Sequence, residues 1–322
     1  MNAPEISVVM GVYNNAGTLP AALKSILSQE GVELEFIVID DGSTDGSAAV
    51  LDEAARKDTR LKVVHKKNEG LTRALIDGCA LATAPWIARQ DADDVSLPGR
   101  LKAQIARARQ ADAPVLVSCR AECVTPEGDV LFVTDALGDP EAARRRVLRE
   151  RRTLSAHGAM LFRKDAYQAV GGYRAEFYYA QDVDLSIRLA EAGRVAVAAE
   201  VLYRFQFAPG TISGRKNRWP LAFYRLILLS QEARAANRSD EAIVRQALDL
   251  KTRCRRAKSN PVPRFHAWYF MGNCLRVAGN SSRAAHYLRK ALDVRPWSLR
   301  AWFRWMQACR QARRAEFMEE SE

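Results

Sequence analysis

The sequence predicts an α/β fold, a doubly wound and mostly parallel sheet followed by a smaller all-α C-terminal region. Three observations carry that expectation. Over the first hundred residues, short apolar runs alternate with stretches of helical spacing, the βαβ order that builds parallel sheets. Runs such as FIVI (36–39) are apolar without a break, as in strands buried on both faces. Charge then divides the chain: residues 1–210 hold 26 Lys and Arg against 29 Asp and Glu, whereas residues 211–322 hold 23 against 9. A near-neutral part precedes a strongly basic one, so the expected domains are 1–210 and 211–322.

The elements follow in order. ISVVM (6–10) reads as a strand. TLPAALKSILSQ (18–29) sets Leu19, Leu23, Ile26 and Leu27 at helical spacing, with Thr18 as its N-cap. LEFIVI (34–39) is the second strand, and the loop DDGSTDGS leads into a helix ending near Lys57. LKVVH (61–65) is a third strand, 71–83 a helix, and PWIARQ (85–90) a fourth strand. From 114 the pattern turns to hairpins, VLVSC, a PEGD turn and VLFV (130–133). An Arg-rich stretch (144–152) precedes HGAMLFRK. QDVDLSIRLAEAG (181–193) reads as a helix ended by Gly193, and VLYRFQF (201–207) as the last strand of the first domain. After APGTISG the composition turns helical. Trp268, Gly272, Gly279, Ala284, Ala291 and Pro296 fall at the offsets of one tetratricopeptide-like helical pair, and Trp302 opens the next period.

Composition narrows the class. With 48% hydrophobic and 27% charged residues the chain suits a soluble globular protein. No apolar run is long enough to span a bilayer, and MNAPE is not a basic-then-apolar leader, so the cytoplasm is the expected compartment. The six cysteines are scattered without a CxxC pair, which favours reduced core thiols over a zinc site.

In doubly wound sheets ligands gather at the carboxyl ends of the strands. GVYNN (11–15), DDGSTD (40–45) and DADD (91–94) follow the first, second and fourth strands, so all three loops should open at one edge. DADD sets three mutually repelling carboxylates in four positions. Side chains two apart on an extended strand end point the same way, so Asp91 and Asp93 can face one pocket. A divalent cation, Mn²⁺ or Mg²⁺, would relieve their repulsion, since such ions take one or two carboxylates plus phosphate oxygens. The alternative is a solvated acidic turn leading into a helix near Pro98.

ISVVMGVYNNAGTLPAALKSILSQ, FIVIDDGSTDGS and NEGLTRALIDGCALATAPWIARQDADDVSLPGRL, in that order, closely resemble the inverting, bacterial-type family 2 glycosyltransferases of the GT-A fold. The resemblance covers about 5–210; it is specific over 5–104 and looser over 153–193, in HGAMLFRK, GGYR and QDVDLSIRL. It implies that Tyr13 stacks on the nucleotide base with Val12 beside it, and that Asp41 reads the base edge. It further implies that Asp91 bonds the ribose, Asp93 ligates the metal and Asp94 orients the turn. Asp182 matches the general base, with Gln181 standing where the family usually has an acidic residue; Asp184 should face elsewhere on the helix. Arg73, Arg89 and Arg100 are candidates for neutralising a diphosphate leaving group, and His157 and Gln181 lie on the acceptor side.

The resemblance therefore implies a metal-dependent inverting glycosyltransferase. Its donor would be a nucleotide-diphospho-sugar, UDP-linked, and its acceptor a glycan or lipid-linked hydroxyl in cell-surface polysaccharide synthesis. The basic tail, with Trp268, Trp297, Trp302 and Trp305 among arginines, suggests contact with an anionic membrane surface. Nucleic acid is not an expected partner, because no nucleic-acid-binding motif accompanies the charge. Two alternatives stand beside this reading: a haloacid-dehalogenase-type phosphatase using the DxD, and a non-enzymatic helical adaptor.

Overall fold

The computed structural model describes residues 3–209, 218–256 and 264–319. Its first elements are β1 (Ile6–Val12), α1 (Leu19–Leu27), β2 (Leu34–Asp40), α2 (Ser47–Lys57), β3 (Leu61–His65), α3 (Leu71–Leu81) and β4 (Trp86–Asp91). These four strands are parallel to one another, with Val12 opposite Asp40 and Gly11 opposite Asp91, so their carboxyl ends line up. Next come β5 (Val95–Ser96), α4 (Arg100–Ala108), β6 (Leu116–Val124), β7 (Val130–Val133) and α5 (Pro140–Leu148). A 3₁₀ turn (His157–Ala159) leads into β8 (Leu161–Arg163), α6 (Lys164–Ala169), α7 (Gln181–Ala192) and β9 (Val195–Gln206). The sheet order is β3-β2-β1-β4-β8-β6-β9-β5, with β7 on β6; β8 joins β4 antiparallel. The C-terminal region is helical: α8 (Arg218–Ala235), α9 (Glu241–Arg256), α10 (Arg264–Val277), α11 (Ser281–Val294) and α12 (Leu299–Glu319).

The uninterrupted apolar strands are explained by burial on both faces. Val9, Ile37, Ile39 and Ile87 point into one core with Leu75 of α3 and Leu185 and Leu189 of α7. Their strand neighbours Val8, Met10, Phe36, Val38 and Ala88 face the other, against Leu23 and Ile26 of α1, Leu51 of α2 and Leu101 of α4. Thr18 does stand at the N-cap of α1, but its hydroxyl donates to the carbonyl of Ala92 (2.9 Å) rather than capping a helix amide. That bond ties the first loop to the DADD turn.

The expected boundary at 210 falls outside the described residues. The described residues form two compact units, one from 3–121, 134–204 and 218–256, the other from 122–133, 205–209 and 264–319. Helices α8 and α9 thus belong with the sheet. Phe223, Ile227 and Ala247 are fully buried in the core that holds Leu185 and Leu189. Asp240, just before α9, accepts from Arg174 (2.8 Å) and Arg234 (3.0 Å).

The second unit has its own core. The expected helical pair is present as α10 and α11, and a Cβ on Gly272 would lie 2.6 Å from Leu288 Cγ, so glycine permits the close crossing. Arg283 pairs with Asp129 (2.6 Å), and Trp268 stacks on Tyr287 at 5.8 Å. Trp302 and Trp305 are also partly buried against this core. Trp268, at a packing position of the helical pair, Trp302 and Trp305 therefore pack inward, while Trp297 is 76% exposed. The six cysteines are free thiols, and among the described residues no helix is long and apolar enough to cross a membrane.

Candidate active site

The carboxyl ends of β1, β2 and β4 carry the three loops, stitched to one another by hydrogen bonds. Asn14 Oδ1 accepts the Thr44 amide (2.7 Å), Ser47 Oγ accepts the Asn15 amide (3.0 Å), and Asp45 accepts the Ala16 amide (3.0 Å). The Val12 carbonyl accepts from the Asp41 amide (2.9 Å). Tyr13 stands at this edge with its ring half exposed. Asp41 is buried, its Oδ1 taking the Glu69 amide (2.9 Å) and its Oδ2 the Gly70 amide (2.7 Å). It fixes the turn into α3, and each oxygen keeps a second lone pair for a ligand. Gly70 has φ +97°, and a Cβ there would lie 2.6 Å from the Tyr178 ring, so both conformation and space demand glycine. Tyr178 is thereby set against the Asp41 turn.

Beneath DADD lie two fully buried guanidiniums, one of which pairs with Asp91. Arg89 donates to the Val9 carbonyl (2.6 Å), the Gln90 carbonyl (2.9 Å) and Asp91 Oδ1 (2.5 Å). Arg100 donates to Gln104, Gln90 and Ser96 side chains and to the carbonyls of Arg89 and Gly158. The Tyr203 hydroxyl donates to Asp94 (2.9 Å) and accepts from the Asp91 amide (3.3 Å). Asp94 thus holds the turn, as expected. Arg89 and Arg100 do not fit the leaving-group role, because both are fully buried and already bonded within the protein. Buried charges of this kind need such partners to be tolerated at all.

Asp93 differs from its neighbours. Among the described residues its carboxylate has no side-chain partner, and burial together with the Asp91 charge pushes its pKa up to about 6. No group of three or more His, Cys, Asp or Glu among the described residues is placed to hold a metal by itself. Two carboxylates do fit a hard cation that takes its remaining oxygens from a bound diphosphate and water.

A second cluster adjoins the first. His157 Nε2 lies 2.7 Å from the Tyr173 hydroxyl and 3.4 Å from Arg89 Nε. Burial, then the Arg89 charge, lower the His157 pKa to about 4 against the opposing pull of Asp91 and Asp182. The ring is therefore neutral, with Asp91 and Asp182 both within electrostatic reach. Asp182 sits in the first turn of α7, after Ala180 in a left-handed conformation (φ 58°). It has no hydrogen bond or ion pair among the described residues, and Gln181 before it is buried. Asp184 is otherwise placed. It is 1% exposed and gripped by Arg188 and Arg174, which hold its pKa below the ordinary value despite burial.

The fold therefore brings Asp91 and His157 onto Arg89, with Asp93 beside Asp91 and Asp182 within electrostatic reach of His157; Val12 and Tyr13 lie one strand away and Asp41 two. Arg73 lies on α3, half exposed and paired with Asp77 (3.1 Å). Sequence reasoning missed Tyr173, Tyr178 and Tyr203. The first two stand in GGYRAEFYY, where an aromatic cluster in a polar loop was a readable signal; Tyr203, inside an apolar strand, offered none.

Comparisons with known proteins bear on the family and the fold. The family model for glycosyl transferase family 2 matches residues 7–171. EpsE of Bacillus subtilis (strain 168), named as a glycosyltransferase, is 34% identical over 212 residues, 63% of this chain and 73% of its own. The succinoglycan biosynthesis protein ExoO of Rhizobium meliloti is 38% identical over 115 residues, 35% of this chain; that match spans about a third (32%) of ExoO. Among solved structures, Staphylococcus aureus TarS 1-349 in complex with UDP-GlcNAc superposes with TM-score 0.58 at 17% identity, covering 90% of this chain and 89% of that one. The mannosyltransferase PcManGT of Pyrobaculum calidifontis, in complex with GDP-Man and Mn²⁺, gives 0.54 at 18%, covering 97% and 86%. These two likenesses speak to the fold. The phosphatase and adaptor alternatives fall away, because the matched family spans the three strand-end loops and half the chain: this protein is a glycosyltransferase and belongs to glycosyl transferase family 2.

Proposed function

We propose that the protein moves a sugar from a nucleotide-diphospho-sugar, UDP-linked, to a hydroxyl of a glycan or lipid-linked acceptor, inverting the anomeric centre, in polysaccharide synthesis. The observation that carries this reading is a pair of carboxylates, Asp93 and Asp182. Neither is engaged by a cation or side-chain donor among the described residues, while Asp40, Asp91, Asp94 and Asp184 around them all are, and Asp41 is held by two backbone amides. Unspent carboxylates in a site are suited to taking a proton or holding a cation.

Asp182 takes the base role. It accepts the acceptor hydroxyl's proton as that oxygen attacks the anomeric carbon; the bond to the diphosphate breaks and its electron pair leaves with the phosphate. His157, neutral and held by Tyr173, borders Asp182 together with Gln181, and both can hydrogen-bond the acceptor. Tyr13 and Val12 hold the base, Asp41 its edge, Asp91 the ribose, and Arg73 lies at the rim near the phosphates. Asp93, with Asp91 beside it, would hold Mn²⁺ or Mg²⁺. When bound, such an ion offsets the negative charge that builds on the leaving diphosphate. The neighbours solved with UDP-GlcNAc and with GDP-Man and Mn²⁺ support donor and metal, and the succinoglycan relative supports the polysaccharide context.

Two substitutions test it. Asp182→Asn keeps shape without basicity, so UDP binding should persist while transfer falls about 10²–10⁴-fold. Asp93→Asn should lose turnover and metal-dependent UDP binding. Full transfer by the first variant, or by the wild type in excess chelator, would refute the corresponding role.

The second unit supports a peripheral membrane contact. Trp297, Leu299, Phe303 and Met306 are 76%, 83%, 55% and 44% exposed. The last three share one face of α12, and Arg295, Arg300 and Arg304 lie among them in sequence. Each well-placed arginine adds about 1 kcal/mol of attraction to anionic head groups. Co-sedimentation with vesicles should then be salt-sensitive and should require anionic lipid. Equal binding to neutral and anionic vesicles, or none to either, rejects it.

A further inference from the structure

We propose that Arg255, in the last turn of α9, reads the base of the donor nucleotide by donating to the carbonyl of the N–H/C=O edge that uracil and guanine share. The inference rests on the reading of Tyr13 and Asp41 as the base-binding wall.

Three contacts place it there. Asp41 accepts the amides of Glu69 and Gly70, and Arg255 Nη1 donates to the carbonyl of that same Glu69 at 3.3 Å. The guanidinium is thus tethered to the two-residue turn that the Asp41 carboxylate grips. One turn earlier on α9, Lys251 Nζ donates to the Ala175 carbonyl (2.8 Å), fixing the helix to the segment that leads into Tyr178. Tyr178 in turn lies against Gly70. Tyr178 therefore stands between helix and turn, and the charges of Arg255 and Asp41 and the Tyr13 hydroxyl all act on its own hydroxyl.

Arg255 also has capacity to spare. Two neighbouring cations of this rim are committed to carboxylates, Lys66 to Glu69 and Asp77, and Arg73 to Asp77. Among the described residues, Arg255 bonds a single backbone carbonyl and leaves the rest of its five donors unspent. A carboxylate that accepts beside a guanidinium that donates is the complement of an N–H next to a C=O. Uracil offers N3–H beside its carbonyls, and guanine N1–H beside O6. Held in that same pose, cytosine and adenine present a ring-nitrogen lone pair to the carboxylate and an amino group to the guanidinium, so both contacts turn repulsive. A paired contact of this kind discriminates by about 10–100-fold.

Titration calorimetry on the full chain with UDP, GDP, CDP and ADP, and with uridine and cytidine, tests the assignment. The wild type should favour UDP or GDP over CDP and ADP, and which of the two it favours names the base. In Arg255→Ala, exposed and so harmless to folding, the favoured nucleotide should weaken about 10-fold or more and the preference should shrink towards unity. The loss should persist with uridine, which has no phosphate. Equal weakening of all four nucleotides would make Arg255 a phosphate charge and overturn the proposal, as would an unchanged preference or a wild type that favours CDP or ADP. A wild type that binds none of the four overturns the nucleotide reading itself, and this inference with it.

Discussion

Gly158 sits where the acidic turn, the buried arginine and the acceptor side meet, and its missing side chain is what lets them meet. A Cβ there would lie 1.8 Å from the Tyr203 hydroxyl and 3.1 Å from Asp91 Oδ2, while its carbonyl accepts from Arg100 (2.7 Å). Gly158→Ala should therefore push the Tyr203 ring aside and break its bond to Asp94. The expected cost is about 1–3 kcal/mol of stability. Transfer should fall further than that loss explains, by about 10²-fold, because Asp91 is displaced along with the ring. Adding Tyr203→Phe removes the clashing hydroxyl and should recover part of the melting temperature. A single variant as stable as the wild type would contradict this packing. Asp93 and Asp182 were legible as candidates from their motifs. That these two stay uncommitted among the described residues was not. Arg89 and Arg188 lie only two and four residues from Asp91 and Asp184, but cations near in sequence could equally have reached Asp93 or Asp182, and only the fold shows which pairs form.

At the scale of elements, the loop after β2 depends on a link between strand and helix. His65, at the end of β3, places Nδ1 2.8 Å from Asp40 and Nε2 3.0 Å from Asp52 on α2. The hydrogen bonds to Asp40, then to Asp52, raise the histidine pKa above its ordinary 6.5. Asp40 also accepts the Ser43 amide (3.0 Å), so the pair braces the DDGSTD loop. A raised histidine pKa stabilises the fold fully below the unfolded value, and the contribution fades as pH climbs through the folded one. His65→Gln should thus lower the melting temperature more below about pH 6 than once pH has climbed past the raised folded value, and modestly, since the ring is partly exposed. A gap independent of pH would rule out the charged link. Strands β1 to β4 were readable because burial on both faces leaves an unbroken apolar run. The three residues of β8 are too few for any periodicity. β9 begins at Val195, six residues before the expected start, because VAVAA is as compatible with a helix as with a strand.

Over the whole molecule, the chain after 210 does not serve one purpose. Helices α8 and α9 complete the first core, and Asp240 joins them to α7 through Arg174, which also holds Asp184. A chain ended at 210 should therefore be soluble only poorly, with an unstable fold, since Phe223 and Ile227 would leave their core exposed. Circular dichroism melting and gel filtration check this. A well-folded, cooperative 1–210 chain would contradict it. Asp240→Ala in the full chain is the milder version. It leaves Arg174 with Asp184 alone and should lower stability by about 1–3 kcal/mol without removing any group near the reaction.

By itself the sequence determined the sheet, its open edge and the residues standing along that edge. Each of those is local: an apolar run followed by a polar loop specifies a strand end wherever it occurs, and three such ends in a parallel sheet must share one side. What only the tertiary structure decided is how charge is distributed among those residues. The basic excess of 211–322 looked like a separate surface. Yet Arg234 of α8 pairs with Asp240, and Arg255 of α9 returns to the turn beside Asp41. Likewise the resemblance gave the three aspartates of DADD separate roles, but only packing showed that Asp91 goes to Arg89 and Asp94 to Tyr203 while Asp93 has no side-chain partner among the described residues. Coulombic pairing acts through space over a few ångströms and is indifferent to separation along the chain, so composition can count the charges but only packing can pair them.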